Sequence, residues 1–173
     1  MAMSVTDFIG QRVTGDRMTA DEVRTFRDQL PADKRGADAQ DFARELFRQR
    51  KLTAYQATAV YQGKAQSLVL GSYVLLDKLG QGGLSPVYKG THRENGSRVA
   101  IRIIKAEVLA GPEGRQQFLQ EVEAMARLDH NNIVQFCDAD QWNDTFYFAM
   151  EYVEGTDLGK VVRLSGALGV REA

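Results

Sequence analysis

The clearest capacity for chemistry lies in the glycines of Leu79-Gly80-Gln81-Gly82-Gly83-Leu84-Ser85-Pro86-Val87-Tyr88. Glycine lets backbone N–H groups approach a phosphate with no side chain in the way, and it tolerates positive φ at a turn. The flanks are strand-like on both sides. A dinucleotide-binding loop would run from strand into helix, and a P-loop would end in Gly-Lys-Ser/Thr; neither context is met. On these residues alone a phosphate cradle and a plain hairpin both stand, the hairpin being the commoner use of glycine between strands. Other chemistry has little to build on. His92 and His130 lie about forty residues apart with no Cys or carboxylate cluster beside them, so no metal site or triad is drawn. Cys137 is the single cysteine, which excludes an internal disulfide and suits a reducing compartment. It is expected to be a small buried hydrophobe.

The elements that must position these residues change period near residue 66. Residues 1–66 are helical in pattern. Thr19 with Glu22 and Thr53 with Gln56 form capping boxes, Val23, Phe26 and Leu30 make one apolar stripe up to Pro31, and Phe42, Leu46 and Phe47 make another on a helix beginning near Asp38. With an opening segment around Val5 to Val13, this predicts four short helices packed on each other, a module whose core is marginal alone. Beyond residue 66, strands are predicted at 67–79, 87–92, 98–104, 133–137 and 145–153. Asn95-Gly96 supplies a hairpin turn, and Asn143-Asp144 another. One long helix at about 112–128 buries Phe118, Val122, Met125 and Leu128. The fold class is α+β: a five-stranded antiparallel sheet with one long helix, preceded by a small all-α module. The predicted divisions are 1–66, 67–155 and 156–173.

Composition narrows the function classes. The chain has 173 residues, 43% of them hydrophobic, and a formal net charge of −1, so it can bury a core and offers no basic excess for nucleic acid. No apolar run is long enough to cross a membrane, and the N-terminus lacks a secretion signal, which makes the cytoplasm the expected compartment.

An ordered series of motifs then selects among these classes. YVLLDKLGQGG, VAIR, FLQEVEAMARLDHNNIV and FAMEYVEGTDL follow one another between residues 73 and about 163. In this order and spacing they resemble the N-terminal lobe of a Hanks-type Ser/Thr protein kinase of the bacterial kind. The resemblance implies an ATP site between this lobe and a larger helical one. It implies that Gly80 and Gly82 cover the phosphates and that Leu79, Val87 and Ala100 line the adenine pocket. Met150 stands at the gatekeeper position, Glu151 and Val153 offer hinge backbone groups to adenine, and Glu121 matches the helix glutamate that pairs with the third-strand lysine.

That lysine is here Arg102. A planar guanidinium does not replace a compact ammonium between phosphates and glutamate, although pairing of Arg102 with Glu121 is still expected. Lys105 cannot substitute, since positions 102 and 105 fall on opposite faces of a strand. Ser85 and Pro86 replace the third glycine and remove a donor. Asn131 replaces a proline, with Ile133 and Val134 expected to retain the packing. The sequence contains neither His-Arg-Asp nor Asp-Phe-Gly, so no catalytic or metal-binding residue is assigned. The expected function is therefore the N-terminal fragment of a kinase-like protein, inactive alone, with ATP binding weak or absent and Mg held only when a C-lobe is present. The alternative is a pseudokinase-type module that binds a protein partner or itself through an uncovered lobe face including Val87, Met150, Tyr152 and Leu158.

Overall fold

The computed structural model describes residues 20–31, 39–81, 85–104, 109 and 111–169. The predicted segment Val5 to Val13, the Thr19 cap, the start near Asp38, Gly82 and Lys105 lie outside the described residues.

Three helices come first. Helix α1 (Ala20–Gln29) carries Asp21 and Glu22 in its first turn and Arg27 in its last, matching the helix dipole, and stops just before Pro31. Helix α2 (Ala39–Arg48) buries Ala39, Phe42, Ala43 and Leu46, one stripe at spacings of three and four. The Phe26 and Phe42 rings join the two helices at 5.9 Å. Phe47, predicted for the stripe, is exposed instead because it falls one position beyond the buried line. Helix α3 (Ala54–Tyr61) begins with the predicted capping box, both of whose bonds are present: Gln56 N–H donates to Thr53 Oγ1 and Thr53 N–H to Gln56 Oε1.

The single strand predicted at 67–79 is three pieces: a 3₁₀ turn (Ala65–Leu68), a two-residue strand β1 (Val69–Leu70), and β2 (Tyr73–Gln81). Gly71, at φ +54°, reverses the chain between the two strands. Then follow β3 (Pro86–His92), β4 (Arg98–Ile104), helix α4 (Gly111–Ala126), β5 (Phe136–Trp142), β6 (Thr145–Glu151) and α5 (Leu158–Ser165). The sheet therefore has six strands, in the order β1-β2-β3-β4-β6-β5, antiparallel throughout. Asn95-Gly96 and Asn143-Asp144 make the two predicted turns, Gly96 at φ +70° and Asn143 at φ +53°.

The strand expected at 133–137 begins three residues later. Ile133 and Val134 are exposed rather than packed, lying in the irregular stretch after α4. Cys137 is exposed, not buried, because the pairing of β5 with β6 skips from Phe136 to Asp138 and leaves Cys137 bulged on an edge strand.

The helices do not form a separate bundle. Val23, Phe26, Phe42, Leu46 and Val60 share one buried cluster with Tyr73, Leu75, Val99, Ile101, Tyr147 and Ala149 of the sheet. Strand alternation explains it: in β4 the odd positions face the helices, and the even positions form the opposite face. A narrow helical stripe is thus stabilised by covering a sheet face that would otherwise be wet.

Candidate nucleotide-facing site

The even face of β4 carries the residues singled out by sequence. Cross-strand partners share a face, and the register pairs Val87 with Arg102, Lys89 with Ala100, Arg102 with Phe148 and Ala100 with Met150. Gly80 pairs with Val87, which brings the glycine hairpin to the same end. Gly80, Val87, Ala100, Arg102 and Met150 therefore lie on one surface, Ala100 buried and Val87 and Met150 half-buried.

Two features of this surface fit a polyphosphate. A Cβ on Gly80 would meet nothing within 4 Å, and its φ is not in the left-handed region, so folding does not require glycine there. The open space suits close approach of a ligand. Second, Arg102 Nε is buried with no hydrogen-bond partner among the described residues, its guanidinium carbon 6.0 Å from the Phe148 ring centroid. A buried donor left unpaired costs about 1–3 kcal/mol, which an anionic acceptor would offset. For a metal the described residues offer no group of three His, Cys, Asp or Glu side chains.

The expected pairing of Arg102 with Glu121 is not made. Among the described residues no ion pair joins them, and Glu121 is exposed, accepting at 3.2 Å from Gln117 Nε2 one turn earlier on α4. The cause lies in the helix: α4 buries no residue fully, its half-buried stripe is Phe118, Val122 and Met125, and Leu128 is exposed. The Phe118–Phe146 ring contact at 5.8 Å holds it near the sheet.

At the hinge, Glu151 N–H donates to Gln135 O at 2.8 Å, which commits that amide within the protein. Val153 follows outside any regular element and is exposed, as is Leu79. Two residues on the surface escaped the sequence reading. Lys89 lies two residues after Val87, its Nζ 4.2 Å from the Tyr152 ring centroid, and Phe148 lies two before Met150. The period of two counted from known positions would have found both.

A model described as the protein kinase domain matches residues 73–173. The chain belongs to the protein kinase family. It is 39% identical over 101 residues to a probable serine/threonine-protein kinase of Clostridium perfringens, covering 58% of this chain and 15% of that one. To serine/threonine-protein kinase Pkn1 of Myxococcus xanthus it is 37% identical over 99 residues, covering 57% and 14%. The kinase domain of PknI from Mycobacterium tuberculosis superposes with a TM-score of 0.52 at 27% identity, over 60% of this chain and 43% of that one. The part of the kinase fold covered is the N-terminal lobe. The chain thus spans about one seventh of the length of these curated kinases. No helix among the described residues is long and apolar enough to cross a membrane.

Proposed function

We propose that this chain is the nucleotide-facing lobe of a Ser/Thr protein kinase-like protein, binds ATP weakly, and transfers no phosphoryl group by itself. The observation that carries the reading is Arg102, which stands on the row of Val87, Ala100 and Met150 with a buried, unpartnered Nε and no ion pair to Glu121. Kinase lobes couple their third-strand lysine to the helix glutamate, and transfer requires that coupling together with an aspartate base and metal-bound carboxylates. An arginine at this position supplies charge without the fit of an ammonium. Magnesium would be held by acidic residues of a second lobe. Incubation with radiolabelled ATP and a generic protein substrate is expected to give no transfer above background, and Arg102→Lys is expected to create none in this length of chain. Transfer that is lost on Arg102→Ala would overturn the reading.

A second reading, a module that binds a protein partner or a second copy of itself, is favoured by exposed apolar side chains beyond the hinge. Val153, Leu158 and Leu164 are 62%, 62% and 76% exposed. Of the four residues expected on the uncovered face, Leu158 is exposed, whereas Val87, Met150 and Tyr152 are half-buried. Sedimentation at several concentrations tests it: a mass that grows with concentration supports association, and a constant monomer mass rejects self-association.

A further inference from the structure

The first strand of the kinase lobe carries two irregularities. Pairing of β2 with β3 skips Leu76 and again Leu79, so two residues of β2 have no partner across the ladder. On the other side, β1 covers only Tyr73 and Val74. From Leu75 onward β2 is an edge, and backbone groups on an edge need partners.

The start of α3 supplies them. Gln56 Nε2 donates to Leu75 O at 3.0 Å, and Thr53 Oγ1 donates to Leu76 O. These are the same two side chains that cap the helix. Gln56 is buried, and its amide is divided: Oε1 serves the helix, Nε2 serves the strand. Between them, Tyr55 sets its ring 5.6 Å from that of Tyr88 on β3. Tyr88 is the residue after Val87, and pairs with Lys78 across the hairpin. One helical turn therefore grips both strands of the glycine hairpin, at Leu75 and Leu76 on one side and Tyr88 on the other. Leu76 precedes Gly80 by four residues, about 13 Å along a strand.

We propose that Thr53, Tyr55 and Gln56 are positioning residues for the glycine hairpin, setting from outside the nucleotide-facing surface how tightly the lobe holds a nucleoside triphosphate. The affinity half of this proposal rests on the function proposed above; the clamp on the hairpin does not. A bulged edge strand can adopt more than one twist, and bonds to the two carbonyls at the bulge select one. The glutamine is informative because a capping box works equally with glutamate. Gln56→Glu keeps the acceptor for Thr53 N–H, removes the donor to Leu75 O and sets a buried carboxylate against that carbonyl.

The test is hydrogen exchange on the 173-residue chain, comparing Gln56→Glu, Tyr55→Leu and the conservative Thr53→Ser with the unmodified protein, alongside titration with a non-hydrolysable ATP analogue. Gln56→Glu is expected to raise exchange over residues 77–88 while residues 99–103 stay protected, and to weaken the analogue by about threefold to tenfold, the worth of one hydrogen bond. Thr53→Ser is expected to behave as the unmodified protein. Unchanged exchange over 77–88 in a folded Gln56→Glu protein would overturn the proposal, as would an equal rise over 99–103, which marks general loosening. Should Gln56→Glu not fold, Tyr55→Leu, which removes the ring contact with Tyr88, gives the same two readouts. Failure of the unmodified chain to bind the analogue would refute the nucleotide-facing reading and the affinity half of the proposal, and the exchange comparison would still decide the clamp.

Discussion

A guanidinium at position 102 spreads its donors over a plane, and the environment around it satisfies them incompletely, since Nε is buried and unpaired. That imbalance and the unfilled space at Gly80 are complementary, one offering a donor and the other an approach. Gly71 shows the contrasting use of glycine. It sits at φ +54°, and a Cβ there would come 2.6 Å from Tyr147 Oη. Both backbone and packing exclude a side chain. Gly71→Ala is expected to destabilise the protein by about 1–3 kcal/mol, measured by urea unfolding; a loss below the error of the method would contradict this geometry. The same substitution at Gly80 is expected to leave stability unchanged. Sequence motifs sufficed to single out Val87, Ala100 and Met150, which the register places on one face, because a family pattern names them one by one. Phe148 and Lys89 are named by no family motif, and are reached only by counting the strand period of two outward from Met150 and Val87.

At the scale of elements, α4 sits loosely on the sheet. None of its residues is fully buried, and its ring contact with the sheet is Phe118 on Phe146. Amides of α4 are therefore expected to exchange through local opening, well before those of β4, whose Val99, Ala100 and Ile101 are buried. Comparable protection in the two elements, read by exchange and mass spectrometry, would contradict it. This helix was legible from its apolar stripe to within two residues at each end. Its distance from Arg102 was not, because a stripe fixes which side of a helix is apolar but not how closely that side approaches a sheet. The bulges at Leu76, Leu79 and Cys137 were equally hidden, since each adds a residue without altering residue type or turn signals.

Across the whole molecule, the first three described helices and the sheet share one buried core. Leu46 of α2 and Ile101 of β4 belong to the same buried cluster, both fully enclosed. Leu46→Ala is expected to cost about 2–5 kcal/mol and to shift the unfolding midpoint of the sheet with that of the helices. The single tryptophan, Trp142, ends β5 at the far edge of the sheet and reports the strands, while far-ultraviolet circular dichroism reports the helices. Separate midpoints would favour instead the small helical module that the apolar stripes and capping boxes suggested. The shared cluster was not legible because narrow apolar faces on short helices look the same whether they cover each other or a sheet. The opposite face of that sheet, with the glycine hairpin at its end, is the one proposed for the nucleotide. Residue-resolved NMR titration with ATP tests this assignment most directly. The account predicts small, fast-exchange shifts gathered at Gly80, Val87, Ala100, Arg102 and Met150 to Val153; shifts gathered instead on Tyr73, Ile101 and the helices, or none at saturating nucleotide, would contradict it.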